Sequence, residues 1–374
     1  MSDADNVFNT FYSFRLLSWE DFFKVSSPTA KRVTSHEEFS SSSSVYVTDS
    51  LVAYSVSAGN GGAILFSSSS DDSFLLVERT TIANCRSNGE GGGIYFGDKG
   101  HFILSKVCGF NCSTTGNYHY QFAYIKVSGY GYENEIHDTS VSYSAKEGNY
   151  YTILLQNGVV AVKGTNSSHN SCYYCSGIFC DPSYSASNPV SGTISYSTIS
   201  NNYASDSGIV WLDWQDNNAV QQIVSSCNII NNSQSTSSTS YGIIHAWVKV
   251  TIEDCSLIGN TGKYLFSQSN SFTSEFNNCT IDSGYQTTGA APAMNNKPST
   301  TFVNIIACLS TELCKAELEA GKKKQLLCRT FKCKRASVDF NKFIQISVLL
   351  SILPSNPSSD IWPDIEIFTR ERLD

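Results

Sequence analysis

The chain has 374 residues and a formal net charge of -8, so it lacks the basic field that draws in phosphate backbones, which argues against nucleic acid as its partner. Only 16% of residues are charged while 41% are apolar, with 20 Tyr and 21 Phe, which supplies a core and excludes a disordered chain. Thirteen cysteines are too few for a small disulfide scaffold stretched over this length, and the odd number leaves at least one thiol free in a monomer.

The first five residues, Met1-Ser2-Asp3-Ala4-Asp5, are acidic and do not read as a signal peptide. Val7, Phe8, Phe11, Tyr12, Leu16, Trp19, Phe22 and Phe23 recur near a helical period, predicting an amphipathic helix within 6–25. Its expected use is to cap the open end of the domain that follows, and the alternative is a helix on a membrane surface. The serine run 40–44 reads as a linker, so residues 1–44 form an N-terminal cap and tether.

From 45 to 310, short β-prone stretches alternate with Gly, Ser and Asn clusters. Gly61-Gly62-Ala63-Ile64 returns as Gly91-Gly92-Gly93-Ile94. A second series runs through Thr81-Ile82-Ala83-Asn84-Cys85, Thr198-Ile199-Ser200-Asn201-Asn202 and Asn228-Ile229-Ile230-Asn231-Asn232. It continues through Ser256-Leu257-Ile258-Gly259-Asn260 and Thr280-Ile281. Self-similarity at this period predicts a stacked array, in which no unit can bury its apolar face alone. The fold class is therefore all-β, a right-handed single-stranded parallel β-helix (solenoid) with an N-terminal helical cap and a C-terminal extension. Stacked strands place equivalent side chains above one another about 4.8 Å apart. Ile82, Ile199, Ile229, Leu257 and Ile281 then form an aliphatic ladder, and Asn84, Asn202, Asn232 and Asn260 an amide ladder. Cys227, Cys255 and Cys279 form a ladder of buried, reduced thiols, because parallel side chains fit disulfide geometry poorly.

Four glycan acceptors of the form Asn-x-Ser/Thr occur, at Asn111, Asn166, Asn231 and Asn278, usable if the chain enters a secretory lumen. His169, Cys172, Cys175 and Cys180 form the one metal-like cluster, with four zinc ligands set against a loop disulfide or plain thiols. No second Cys-x-x-Cys at ribbon spacing accompanies it, so no cofactor is expected. Cys108/Cys112, Cys308/Cys314 and Cys328/Cys333 are spaced for small-loop disulfides. Aligning Gly208 with Gly242 sets Trp211 beside His245 and Asp213 beside Trp247. With Trp214 and Asp216, this brings two carboxylates next to aromatic rings, as glycan binding or hydrolysis needs.

Residues 311–374 make a basic and apolar extension. Its cationic cluster from Lys315 to Arg335 is a solvated face or a peripheral contact with an anionic membrane. The apolar run 343–353 is too short for a transmembrane span, which takes about 20 residues.

The Gly-Gly-Ala-Ile repeat resembles that of polymorphic outer-membrane-type proteins, and similar repeats occur in surface-protein families of parasitic protists. The wider class is the pectin-lyase-like right-handed β-helix. The resemblance covers roughly 45–310 and implies a cell-surface or secreted, adhesin-like scaffold that is not an enzyme and takes a protein or glycan partner. It also implies where catalysis would sit if the chain were instead a polysaccharide lyase or glycoside hydrolase, namely on a face carrying carboxylates, here Asp213 and Asp216. The N-terminal sequence favours a third reading, a cytoplasmic structural protein.

Overall fold

The computed structural model describes residues 19–24, 28–40, 44–115, 120–144, 150–183, 190–213, 221–235, 241–269 and 272–295. These residues form an all-β parallel solenoid. Two sheets hold ten strands each and a third holds nine, every ladder running in chain order from coil to coil. The first sheet runs from the Glu37–Ser40 strand to Thr287–Gly289, the second from Val45–Thr48 to Ala293–Asn295, and the third from Leu51–Ala53 to Thr280–Ile281. All pairings are parallel, as coils wound in one direction require. The ladder thus begins at Glu37, inside the segment read from sequence as cap and linker; 296–310 and the basic extension lie outside the described residues.

Each coil passes from the second sheet to the third through a corner where one residue has positive φ: Asp49, Arg79, Lys106, Asp138, Gly164, Tyr196, Ser226, Asp254 and Asn278. A second such corner follows the three-residue strand of the third sheet, at Tyr54, Asn84, Asn111, Tyr143, His169, Asn201, Asn231 and Gly259. Asn, Asp and Gly tolerate this region best, which explains their density at these sites.

The residue after each corner points inward and closes it. After the first corner, Ser50, Thr80, Thr139, Thr165 and Ser197 each donate a side-chain hydrogen bond to the carbonyl two residues earlier. Cys227, Cys255 and Cys279 make the same contact through sulfur. The cysteine ladder is therefore the continuation of a hydroxyl ladder, and its thiols are free and buried as expected.

After the second corner the column reads Cys85, Cys112, Ser144, Asn170, Asn202, Asn232, Asn260. In its amide part the backbone N–H and Nδ2 of Asn170 both donate to Asn202 Oδ1, at 2.9 and 3.1 Å. Asn202 repeats this on Asn232, and Asn232 on Asn260. Asn84 does not belong here. It occupies the exposed corner itself, where its Oδ1 accepts a hydrogen bond from Asn111 Nδ2, and Cys85 takes the inward place.

The aliphatic ladder holds. Val52, Ile82, Gly109, Val141, Ser167, Ile199 and Ile229 stack in register, and Leu257 lies over Ile281. Gly109 interrupts it because the ring of Phe122 fills the space a Cβ would need. In the first sheet Ile64 stacks on Ile94, and Phe66 on Phe96 with centroids 5.1 Å apart.

The repeated glycine pairs have a steric origin. Gly61 and Gly91 take φ of 64° and 67°, and a Cβ on Gly92 would strike the carbonyl oxygens of Gln121 and Ser113 in the next coil. Gly92→Ala is expected to cost about 1–3 kcal/mol by overpacking against backbone. Gly59→Ala, with open space around it, should lie within about 0.5 kcal/mol of the parent. Urea unfolding of the two variants checks this, and equal midpoints would contradict it.

The N-terminal helix differs from expectation. Its described part is one turn, Trp19–Phe23, and it lies on the outward face of the second sheet rather than across an open end. Trp19 packs on Tyr46 and Phe74, Phe23 on Phe74 and His101, and Phe22 on His137. The cause is visible in the strands beneath. Phe74-Leu75-Leu76-Val77 and Phe102-Ile103-Leu104 are unbroken apolar runs, so Leu76 and Ile103 face outward and need a cover.

Candidate functional site

The outward side of the first sheet is where aromatic residues collect. In each strand the two flanking residues point to the core and the one between them points out. Read through the register, the outward column is Leu65, Tyr95, Tyr124, Leu154, Phe179, Trp211, His245, Ser267. Tyr95 and Tyr124 stack with centroids 5.1 Å apart, near the spacing of the strands themselves.

A second row stands beside it. Tyr120 pairs with Tyr151, their rings 5.3 Å apart, and Tyr151 reaches Tyr174 and Phe179. Tyr150, Tyr173 and Tyr241 extend the group. Most of these phenols are half-buried, with apolar ring bodies packed together. Burial, then the nearby carboxylates Glu90 and Asp181, push the Tyr120 hydroxyl up to about 12. Burial foremost also raises Tyr151. These hydroxyls thus remain protonated and able to donate at any physiological pH.

The alignment of Trp211 with His245 is borne out, and the Trp247 N–H donates to Leu212 O, which places Trp247 alongside Asp213. Trp211 is nevertheless buried, walled by Phe179, Tyr174, Tyr241 and His245. It supports the flank rather than offering an open platform. Trp247 is 38% exposed. His245 is fully buried, with Nδ1 2.7 Å from Ser267 Oγ and Nε2 3.2 Å from Ser269 Oγ. Burial lowers its pKa to about 3, so the ring is neutral near pH 7 and is a poor proton carrier there. Trp214 and Asp216 lie outside the described residues.

Asp181 was not anticipated. It follows Cys180, which pairs with Leu212, and the Asp213 N–H donates to Cys180 O, so Asp213 leaves its strand beside Asp181. Asp181 is buried, and its carboxylate accepts a hydrogen bond from Gln156 Nε2 at 3.0 Å.

The metal-like cluster does not assemble. His169 sits at an exposed corner stacked on Tyr143. Cys172 lies by Thr152 Oγ1, Cys175 donates to Ile209 O, and Cys180 is in the core between Leu155 and Leu212. All three thiols are free and buried, and burial drives each well above the usual cysteine range, Cys172 to about 12. Among the described residues no three His, Cys, Asp or Glu side chains converge. Cys112 is likewise free, so it is not bridged to Cys108.

Of the glycan acceptors, Asn111, Asn231 and Asn278 occupy exposed positive-φ corners. Asn166 lies in the third sheet at 3% exposure, where a glycan has no room in the folded coil. No described helix is long and apolar enough to cross a membrane. A cleft of about 380 Å³ at the far end, between Leu257 and Tyr285, is separate from the aromatic flank.

Comparison of the chain with protein-family models, with curated proteins and with solved structures finds no match in any of the three.

Proposed function

We propose that this chain is a non-enzymatic recognition scaffold, surface-exposed or secreted, whose aromatic flank binds an extended carbohydrate chain lying along the solenoid axis. The observation that carries this reading is the pair of adjacent aromatic rows, in which Tyr95 stacks on Tyr124 and Tyr120 on Tyr151 near the strand spacing, presenting apolar ring bodies with donor hydroxyls. Tyrosine suits such a surface because it supplies contact area and a polar tip while having few rotatable bonds to freeze. The half-buried Gln156 amide and Asp213 carboxylate, at the ends of first-sheet strands, supply acceptors for sugar hydroxyls. A repeating ligand that meets several equivalent coils gains from each contact in turn.

Tyr124→Ala and Tyr151→Ala are each expected to weaken glycan binding at least tenfold, about 1.4 kcal/mol. Tyr54→Ala, at an exposed corner on another side of the coil, should leave binding unchanged. Calorimetric titration with the best ligand from a glycan array tests this, and equal affinities for all three variants would overturn it.

The adjacency of Asp181 and Asp213 favours one alternative, a carbohydrate-active enzyme using that pair. Paired carboxylates flanking a sugar bond are the requirement for hydrolysis, and a fold alone confers no chemistry. Product release from a glycan that ceases in Asp213→Ala would establish the alternative.

A further inference from the structure

The amide column of the second corner ends with its last donors unused. Asn170, Asn202 and Asn232 each direct two donors, the backbone N–H and Nδ2, onto the side-chain oxygen of the next rung. Nδ2 also donates back to a carbonyl of the preceding coil, as Asn202 does to Ser167 O and Asn232 to Ile199 O. Asn260 keeps the backward bond, from Nδ2 to Ile229 O at 2.6 Å. Its forward pair goes unanswered: among the described residues neither its backbone N–H nor its second Nδ2 proton meets an acceptor.

The next coil explains the gap. Leu257 pairs with Ile281, and three residues further along each segment Asn260 comes opposite Gly284. Gly284 has no side chain to offer, takes a φ of 82°, and has open space where a Cβ would stand. The coil has also changed course there. The Asn231 N–H is met by the Ile258 carbonyl, but the Gly259 N–H one coil later is met by the Asp282 carboxylate. The space left is the cleft of about 380 Å³, lined by Asn260 and Gly284 together with Ile243, Leu257 and Tyr285.

We propose that this cleft binds the acetamido group of an N-acetylated amino sugar, whose carbonyl oxygen takes the position that a fifth carboxamide would hold. The ladder supplies the argument for an amide oxygen, because three times in this chain the same pair of donors converges on one. A ligand oxygen placed there satisfies both remaining donors at once. Ile243 and Leu257 give the acetamido methyl an apolar wall, and the exposed ring of Tyr285 gives the sugar a surface to lie on. Lys263 and Asp282 stand in the same lining with opposite charges. That balance suits a neutral group, since Asp282 would repel a carboxylate. The inference rests on the last coils and not on the tyrosine flank, so either can fail alone.

Calorimetric titration of the purified full chain with N-acetylglucosamine and with glucose tests the site. The expected result is saturable binding of the acetylated sugar, with glucose weaker by roughly tenfold or more. In isotope-labelled protein the Asn260 amide resonances should move with N-acetylglucosamine and stay in place with glucose. Gly284→Asn sets a carboxamide of the chain's own at the fifth rung, in a backbone region that asparagine tolerates. It should weaken binding by roughly tenfold or more. The Tyr124→Ala, Tyr151→Ala double variant should bind N-acetylglucosamine as the parent does, which separates this site from the flank. Absence of binding, equal binding of glucose, or unchanged affinity in a folded Gly284→Asn variant would overturn the proposal. Loss of binding in the double variant would put the sugar on the flank and overturn it as well.

Discussion

Asn202→Ala is expected to lower the unfolding free energy by about 3–5 kcal/mol, among the largest effects available to one side chain in this chain. Asn202 is buried, and its amide joins three successive coils. Its Nδ2 donates to Ser167 O at 2.9 Å and to Asn232 Oδ1 at 3.1 Å, while its Oδ1 accepts from both nitrogens of Asn170. Alanine leaves the Asn170 N–H and the Ser167 carbonyl without these partners in the interior, at about 1–3 kcal/mol each, and adds a small void. Because neighbouring coils stabilise one another, the loss is felt along the array rather than at one corner. The adjacent Asn201 is exposed at the positive-φ corner, so Asn201→Gly should change stability by less than about 1 kcal/mol. Urea unfolding of the pair separates the two roles. Similar losses at both positions would mean that the amide column carries no special share of stability.

The second large effect is a pH dependence. His245 has a folded pKa of about 3 because burial disfavours the imidazolium, against an unfolded value near 6.5. The unfolded chain therefore takes up a proton that the folded chain refuses. The contribution is complete above pH 6.5 and is lost progressively as pH falls from 6.5 towards 3. At about 1.4 kcal/mol per unit, the loss by pH 3 amounts to as much as about 5 kcal/mol. His245→Gln does not titrate and can still reach one of the two serine hydroxyls. It should be less stable than the parent at pH 7.5, but its stability should fall less steeply between pH 6.5 and pH 4. Parallel slopes for the two proteins across that window would place the acid sensitivity elsewhere.

The architecture was legible because stacking imposes a rule on residue type. A column that must be aliphatic, such as Ile82 through Ile281, or glycine, such as Gly62 and Gly92, repeats whatever the loops between coils do. The same rule aligns Trp211 with His245 from the sequence, since Gly208 and Gly242 are held to closely packed equivalent corners. The errors arose where two corners share a chemistry. Asn84-Cys85 and Asn278-Cys279 look alike in sequence, yet the first pair turns out of the third sheet and the second pair turns into it. An Asn that caps a corner and an Asn that bonds along a ladder differ by one position, so Asn84 was misplaced and Asn170 missed.

The candidate site was harder to read for a different reason. Outward positions are not compelled to repeat, and Tyr120, Tyr151 and Tyr174 recur at unequal chain spacings. The doublets Tyr150-Tyr151 and Tyr173-Tyr174 were the available signal. The helix turn on the second sheet was announced by Leu76 and Ile103, which break the alternation a solvated strand would keep.

The proposed function is tested most directly by exposing the purified full chain to an array of glycans and uronate polymers while following binding and product release together. The account predicts retention of at least one polymer with no product, and loss of that retention in the Tyr124→Ala, Tyr151→Ala double variant. Release of product, or binding that the double variant leaves intact, would contradict it.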